Sequence, residues 1–198
     1  MSTKIELEPD DIRAMDILLD ELTSRFDSVE DEELLNSATI YAQELPRRVR
    51  GGLSDFKLRE PASGICILSG YEVDGARIGR TPAHWKQRSH PSVTLREEIL
   101  LVLCGQILGD VIAWATQQDG FLVHDILPIP GHEGEQVGTG SEQTLWWHTE
   151  DAFHPLRGDY LGMMCLRNPD HVATTYASVE GLDLPERYLD RLFEPHYT

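Results

Sequence analysis

The residues of this sequence best suited to chemistry lie in the stretch TLWWHTEDAFHP, from Thr144 to Pro155. His148 and Glu150 are one residue apart. On an extended strand side chains alternate, so Trp146, His148 and Glu150 would face one way, and Leu145 and Trp147 the other. An imidazole and a carboxylate converging from one strand end are two thirds of a 2-His-1-carboxylate facial triad, which holds Fe(II) and leaves positions open for oxygen chemistry. Two other readings stand beside it. Glu150 and Asp151 could cap a short helix running to His154, with His148 an ordinary half-buried histidine, because an HxE pair alone is a short motif. Alternatively, Glu150 or Asp151 could pair with His154 on one helical face, as in di-metal carboxylate bundles. Pro155 would end that helix after one turn, which ranks this pairing below the strand reading.

Elements able to position these groups follow from the hydrophobic pattern. Ile12, Met15, Leu18, Leu19 and Leu22, then Leu34, Leu35, Ile40 and Tyr41, recur at helical spacing and predict two amphipathic helices between Pro9 and about Glu44. Pro46 and RRVRGG read as the end of the second helix, and SGICILSGY as a short buried strand. Thr94 begins a third helix, with Glu97 at the capping-box spacing and Gly109 as its stop. Beyond Asp110 the pattern changes to short strand-like pieces, GFLVHDILP, QTLWWH, DYLGMMCLRN and ATTYASVEG, which suggest a β-sandwich or barrel. Between them IPGHEGEQVGTGSEQ carries four glycines and reads as a surface loop able to act as a lid. DLPERYLDRLFEP predicts a final helix with Asp183 as N-cap and Leu189, Leu192 and Phe193 on one side.

Composition narrows the function classes. The 198 residues, 40% hydrophobic, suffice for one globular domain. Seventeen basic against 34 acidic residues give a net charge of -17, which argues against nucleic acid and anionic membrane as partners and is compatible with a cationic substrate. Cys66, Cys104 and Cys165 are odd in number, lack a CxxC spacing and lie in apolar runs, so they read as reduced core thiols of a cytoplasmic protein. No signal-like stretch opens the sequence, and no run approaches the ~20 apolar residues that span a bilayer.

The longer string LWWHTEDAFHPLRGDYLGMMCLRNPD resembles the clavaminate synthase-like branch of Fe(II)- and 2-oxoglutarate-dependent oxygenases. Within that branch it looks most like the free amino acid β-hydroxylases, a group that includes the arginine β-hydroxylase of viomycin biosynthesis and the asparagine oxygenase of lipopeptide biosynthesis. The resemblance extends from WATQQDGFLVHDILP to ATTYASV, roughly Leu95 to Val179. It implies an α+β fold, a double-stranded β-helix (jelly roll) core with N-terminal helices. It also implies the cofactors Fe(II) and 2-oxoglutarate, with O2 and a free L-amino acid, arginine-like or asparagine-like, as substrates hydroxylated at Cβ. Carried over by position, it makes His148 and Glu150 metal ligands, Glu150 lying against the substrate as well. It makes Thr175 a partner of the 2-oxoglutarate carboxylate, and Gln117 or Gln118 a partner of the substrate's α-amino or α-carboxylate end. Trp146 and Trp147 read as packing residues.

Two parts of the family pattern have no counterpart here: a second histidine in a late strand, and the arginine after it that grips 2-oxoglutarate. His196 falls too early, and Arg191 sits in a helical pattern. The sequence therefore reads as a single oxygenase domain over 1–198, the N-terminal portion of a longer family fold lacking the C-terminal part of the barrel, with a helical region at 1–60 and a jelly-roll portion at 61–198. Half a jelly roll exposes strand edges, which favours this reading over its rivals. Those rivals are a completing chain or homo-oligomer, and a truncated, non-catalytic relative that binds an amino acid or a partner.

Overall fold

The computed structural model describes residues 3–194. The chain opens with β1 (Thr3–Glu6), followed by α1 (Pro9–Arg25), α2 (Glu32–Ala42), α3 (Arg47–Arg59) and β2 (Cys66–Ser69). A one-turn helix α4 (Gly75–Ile78), the long α5 (Leu95–Leu108) and a late α6 (Glu186–Leu192) complete the regular elements, with 3-10 turns at Trp85–Gln87 and Gln118–Gly120.

Helix α5 is the centre of the fold, and α1, α2 and α3 each pack against it. Met15, Leu18, Leu19 and Leu22 of α1, Leu34, Ala38 and Ala42 of α2, and Val49 and Leu53 of α3 close on Leu95, Ile99, Leu100, Val102 and Leu103. Truncating one such fully buried leucine costs about 2–5 kcal/mol. The contact face of α2 uses Ala38 and Ala42, while Ile40, expected inside, is 67% exposed. The start of α2 is fixed by Asp31, whose carboxylate accepts the Glu33 and Leu34 N–H groups at 2.9 and 3.2 Å. A cap of this kind contributes about 1 kcal/mol.

Strands β1 and β2 pair in parallel, Thr3 opposite Cys66 through Glu6 opposite Ser69. Pro46 and RRVRGG do not end a helix as expected: Pro46 is the N-cap of α3 and both glycines lie inside it. Close approach of α3 to β1 explains them, since a Cβ on Gly52 would lie 2.5 Å from Ile5 side-chain carbons.

The expected capping box at α5 does not form either. Thr94 is the N-cap, but its hydroxyl donates to Glu98 Oε1 at 2.7 Å. Glu97 turns to Arg77, and both glutamates are buried. Glu98 also accepts from Ser92 at 2.5 Å and pairs with Arg88 at 2.8 Å. Two carboxylates enter an apolar helix because arginines come with them. Gly109 does end α5, its N–H donating to Gly105 O at 2.9 Å.

After Ser69 the described residues contain no further strand. The four segments expected as strands are irregular, and the apolar groups of 145–193 are largely exposed, Trp146 at 79% and Trp147 at 72%. A strand exists only where a neighbour takes up its N–H and C=O groups, and these segments meet none. The reading of Trp146 and Trp147 as packing residues is corrected for the same reason: among the described residues no second layer lies over them. Cys165 is likewise exposed rather than in the core. Burial pushes the Cys104 thiol up to about 12, so it behaves as a small apolar group. Helix α6 is capped at Pro185 rather than Asp183, and its apolar side is exposed. No helix among the described residues is long and apolar enough to cross a membrane.

Candidate functional site

The HxE pair converges without the strand that was expected to carry it. His148 Nε2 lies 3.8 Å from Glu150 Oε2, and both side chains are about half exposed. His148 Nδ1 is 2.7 Å from the Trp146 carbonyl oxygen. A carbonyl only accepts, so Nδ1 carries a proton and donates it, and the neutral imidazole then has its lone pair on Nε2, the nitrogen on the side of Glu150. This is the arrangement of a metal-ligating histidine whose other nitrogen is held by a backbone carbonyl. Bonds of about 2.1 Å to one ion span at most ~4.2 Å between two donors, so the 3.8 Å separation is within the reach of one cation and wider than adjacent ligands of a facial triad. Among the described residues no group of three or more His, Cys, Asp or Glu side chains converges.

Neither of the two helical readings of this stretch finds its helix. Residues 150–153 form a turn, with Asp151 at φ 47°, so there is no helix to cap and no helical face to share. Asp151 instead accepts the Trp114 indole N–H at 2.6 Å, and the His154 ring packs 4.1 Å from the Trp114 ring. Sequence reasoning gave Trp114 no role, yet it ties the segment before Gln117 to the turn after Glu150.

The structure separates the two glutamines. Gln118 Nε2 donates to Asp125 O and Gln118 Oε1 accepts the Asp125 N–H, each at 3.0 Å, so its amide closes a loop. Gln117 is exposed, and its side chain makes no hydrogen bond with another described residue. Asp125 itself faces Arg88, 3.8 Å from its Nε. Burial raises the Asp125 carboxyl above the usual carboxylate range, with Arg88 opposing and Glu98 reinforcing the shift. Thr175 is exposed in the irregular 171–179 stretch, and no hydrogen bond joins it to His148 or Glu150. His196 lies outside the described residues.

The glycine-rich loop is knitted to itself. Gly140 N–H donates to Val137 O and Glu142 N–H to Glu133 O, both at 2.9 Å, and His132 Nδ1 meets Thr139 Oγ1 at 2.8 Å. Ile129, just before it, is buried and anchors its root. Gln136, Val137 and Gly138 of this loop and Leu145 to His148 together line a shallow cavity of about 340 Å³.

No protein-family model matches the chain. It is 48% identical over 193 residues to an enduracididine beta-hydroxylase of Streptomyces hygroscopicus, covering 98% of this chain and 56% of that protein. With an L-ornithine/L-arginine 3-hydroxylase of Catenulispora acidiphila it shares 46% identity over 196 residues, 98% of this chain and 57% of that protein. The non-heme iron oxygenase OrfP, solved with Fe and alpha-ketoglutaric acid, superposes with a TM-score of 0.91 at 45% identity, over 98% of this chain and 61% of that one. OrfP has also been solved with Fe, succinate and (3S)-hydroxy-L-Arg. The chain thus spans somewhat over half the length of the curated relatives it matches.

Proposed function

We propose that this chain, a homologue of non-haem iron amino acid hydroxylases along nearly its whole length, is the part of such an enzyme that carries the first two metal ligands, and that the enzyme hydroxylates a free basic L-amino acid at Cβ. The observation that carries the reading is the His148–Glu150 pair, its imidazole tautomer fixed by Trp146 and its two donor atoms 3.8 Å apart. The relatives named for 3-hydroxylation of ornithine and arginine, and the OrfP complex with hydroxy-arginine, support the substrate class. The net charge of -17 suits a cationic substrate.

In this reading His148 Nε2 and a Glu150 oxygen hold Fe(II), with 2-oxoglutarate as co-substrate. Iron so bound would couple the oxidative decarboxylation of 2-oxoglutarate to hydroxylation of the substrate. The chain's own residues bind and orient. Gln117, whose amide is free while that of Gln118 is engaged, takes the α-amino or α-carboxylate end of the amino acid. The Trp114–Asp151 hydrogen bond fixes that segment relative to the turn bearing Glu150. Thr175 is assigned to the 2-oxoglutarate carboxylate. The third ligand and the 2-oxoglutarate arginine are assigned to no residue among 3–194. The jelly roll belongs to the whole fold, of which 1–60 is the helical region and 61–198 contributes to the barrel.

The test is anaerobic titration with Fe(II), or with Co(II) as its spectroscopic substitute, on the wild type, His148→Ala and Glu150→Ala, followed by succinate release across a panel of free amino acids. Each variant should lose metal binding while keeping its far-ultraviolet dichroism, and a basic amino acid should stimulate succinate release with a gain of one oxygen. Unchanged affinity in both variants would refute the ligand assignment.

A further inference from the structure

We infer that Gln136, in the glycine-rich loop, is a positioning residue for His148: it holds Trp146 by its N–H, and the carbonyl of that same residue fixes the imidazole tautomer and thereby aims Nε2 at the metal. The contact stands on geometry alone, and its consequence for a metal rests on the function proposed above.

Gln136 uses all of its amide on one stretch of backbone and its neighbour. Its Oε1 accepts the Trp146 N–H at 3.1 Å, and its Nε2 donates to Thr144 O at 3.1 Å and to Gln143 Oε1 at 2.9 Å. Leu145 is thus bracketed by two backbone groups pinned to one side chain. Residues 144–148 have no strand beside them, so the Gln136 amide takes the place of a ladder neighbour for Thr144 C=O and Trp146 N–H.

Trp146 is where the two halves meet. Its N–H is held by Gln136, and its C=O accepts the Nδ1–H of His148 at 2.7 Å. The Trp146 N–H and C=O lie in adjacent peptide units joined at its Cα, so a Trp146 released from Gln136 is free to turn about φ and ψ; the carbonyl then leaves Nδ1, and the proton is free to sit on either ring nitrogen. A proton on Nε2 blocks the lone pair that faces Glu150. Partners that orient a metal-ligating histidine change metal affinity by about 10- to 100-fold when removed. Gln136 acts one bond further out, on the residue supplying that partner, and the self-closed loop holds it there. The side chain lines the cavity beside His148 but supplies no ligand.

The test compares the wild type with Gln136→Met, which keeps the length and loses the hydrogen bonds, and Gln136→Glu, which keeps an oxygen for the Trp146 N–H. Two quantities are read: the His148 imidazole nitrogen shifts by NMR in the metal-free protein, and the Co(II) affinity. The wild type should show the Nδ1–H tautomer. Gln136→Met should shift it toward a mixture and weaken Co(II) binding about tenfold or more, and Gln136→Glu should restore the tautomer. A Gln136→Met protein with wild-type tautomer overturns the inference, whatever its affinity, as does a Gln136→Glu protein no better than Gln136→Met. If the wild type binds no Co(II) yet its tautomer still depends on Gln136, the metal reading fails and the hold on His148 stands.

Discussion

Replacing Gly140 by alanine tests whether the closed glycine-rich loop supports the site. A Cβ at this position would lie 2.6 Å from Glu135 O, 3.1 Å from His132 O and 3.2 Å from Val137 O. The φ of Gly140 is outside the left-handed region, so alanine meets no dihedral penalty and the clash is purely steric. The three oxygens belong to backbone, and Val137 O is already engaged by the Gly140 N–H at 2.9 Å, so they cannot give way as a side-chain tip would. Overpacking of this kind costs about 1–3 kcal/mol. Against it, alanine restricts the unfolded chain and stabilises by about 0.4–1 kcal/mol. The net loss is about 0–2.6 kcal/mol, with three rigid backbone oxygens placing it in the upper part, and at about 1.4 kcal/mol per factor of ten a loss of about 2.6 kcal/mol opens the loop roughly seventyfold more often. Amide hydrogen exchange reads this directly at Gly140 and Glu142, whose N–H groups close the loop. Gly134→Ala is the control, since its Cβ would meet nothing nearer than Gln143 Nε2 at 4.0 Å. Exchange should rise in Gly140→Ala alone, and Co(II) affinity should fall with it. Equal exchange in the two variants would refute the reasoning.

The paired glycines of α3 should move stability in opposite directions in urea melts. Gly51→Ala, whose Cβ meets nothing within 4 Å, should stabilise by about 0.5–1 kcal/mol; Gly52→Ala, driven against Ile5, should lose that gain to a clash of about 1–3 kcal/mol. Asp125 sets a pH dependence. Its carboxyl is raised in the folded state by burial, so the native protein holds the proton more tightly than the unfolded chain, and this group's contribution falls as pH rises from about 4 through the raised value, then stays flat. Denaturant melts of Asp125→Asn should lack that fall; a wild-type and variant difference that is constant with pH would contradict it.

The helices were legible wherever an apolar period ran between charges, as in α1 and α5, because burial against a neighbour follows from that period alone. Helix α3 was hidden because RRVRGG looks like a breaker. Its glycines answer to a tertiary contact, Gly52 against Ile5, and no local pattern reports which strand a helix will touch. Glu97 was misread for the same reason: capping spacing is local, whereas its partner Arg77 lies 20 residues away, as Arg88 lies 10 from the neighbouring Glu98. Strand β1 is four residues long and owes its existence to β2, some 60 residues later.

At the candidate site the division between legible and hidden follows the same physics. His148 and Glu150 announce themselves by type, since imidazole and carboxylate one residue apart are the donor types of a facial triad. Their convergence was expected from strand alternation, yet it occurs on a bent, ladderless segment, so the strand cannot be what aims them. Gln136 and Trp114 supply that constraint through an amide and an indole, groups common enough in any sequence to carry no signal. Twelve residues separate Gln136 from His148 and thirty-six separate Trp114 from Glu150. A candidate ligand is therefore recognisable from what it can do, whereas a residue that orients it is recognisable only from what it touches.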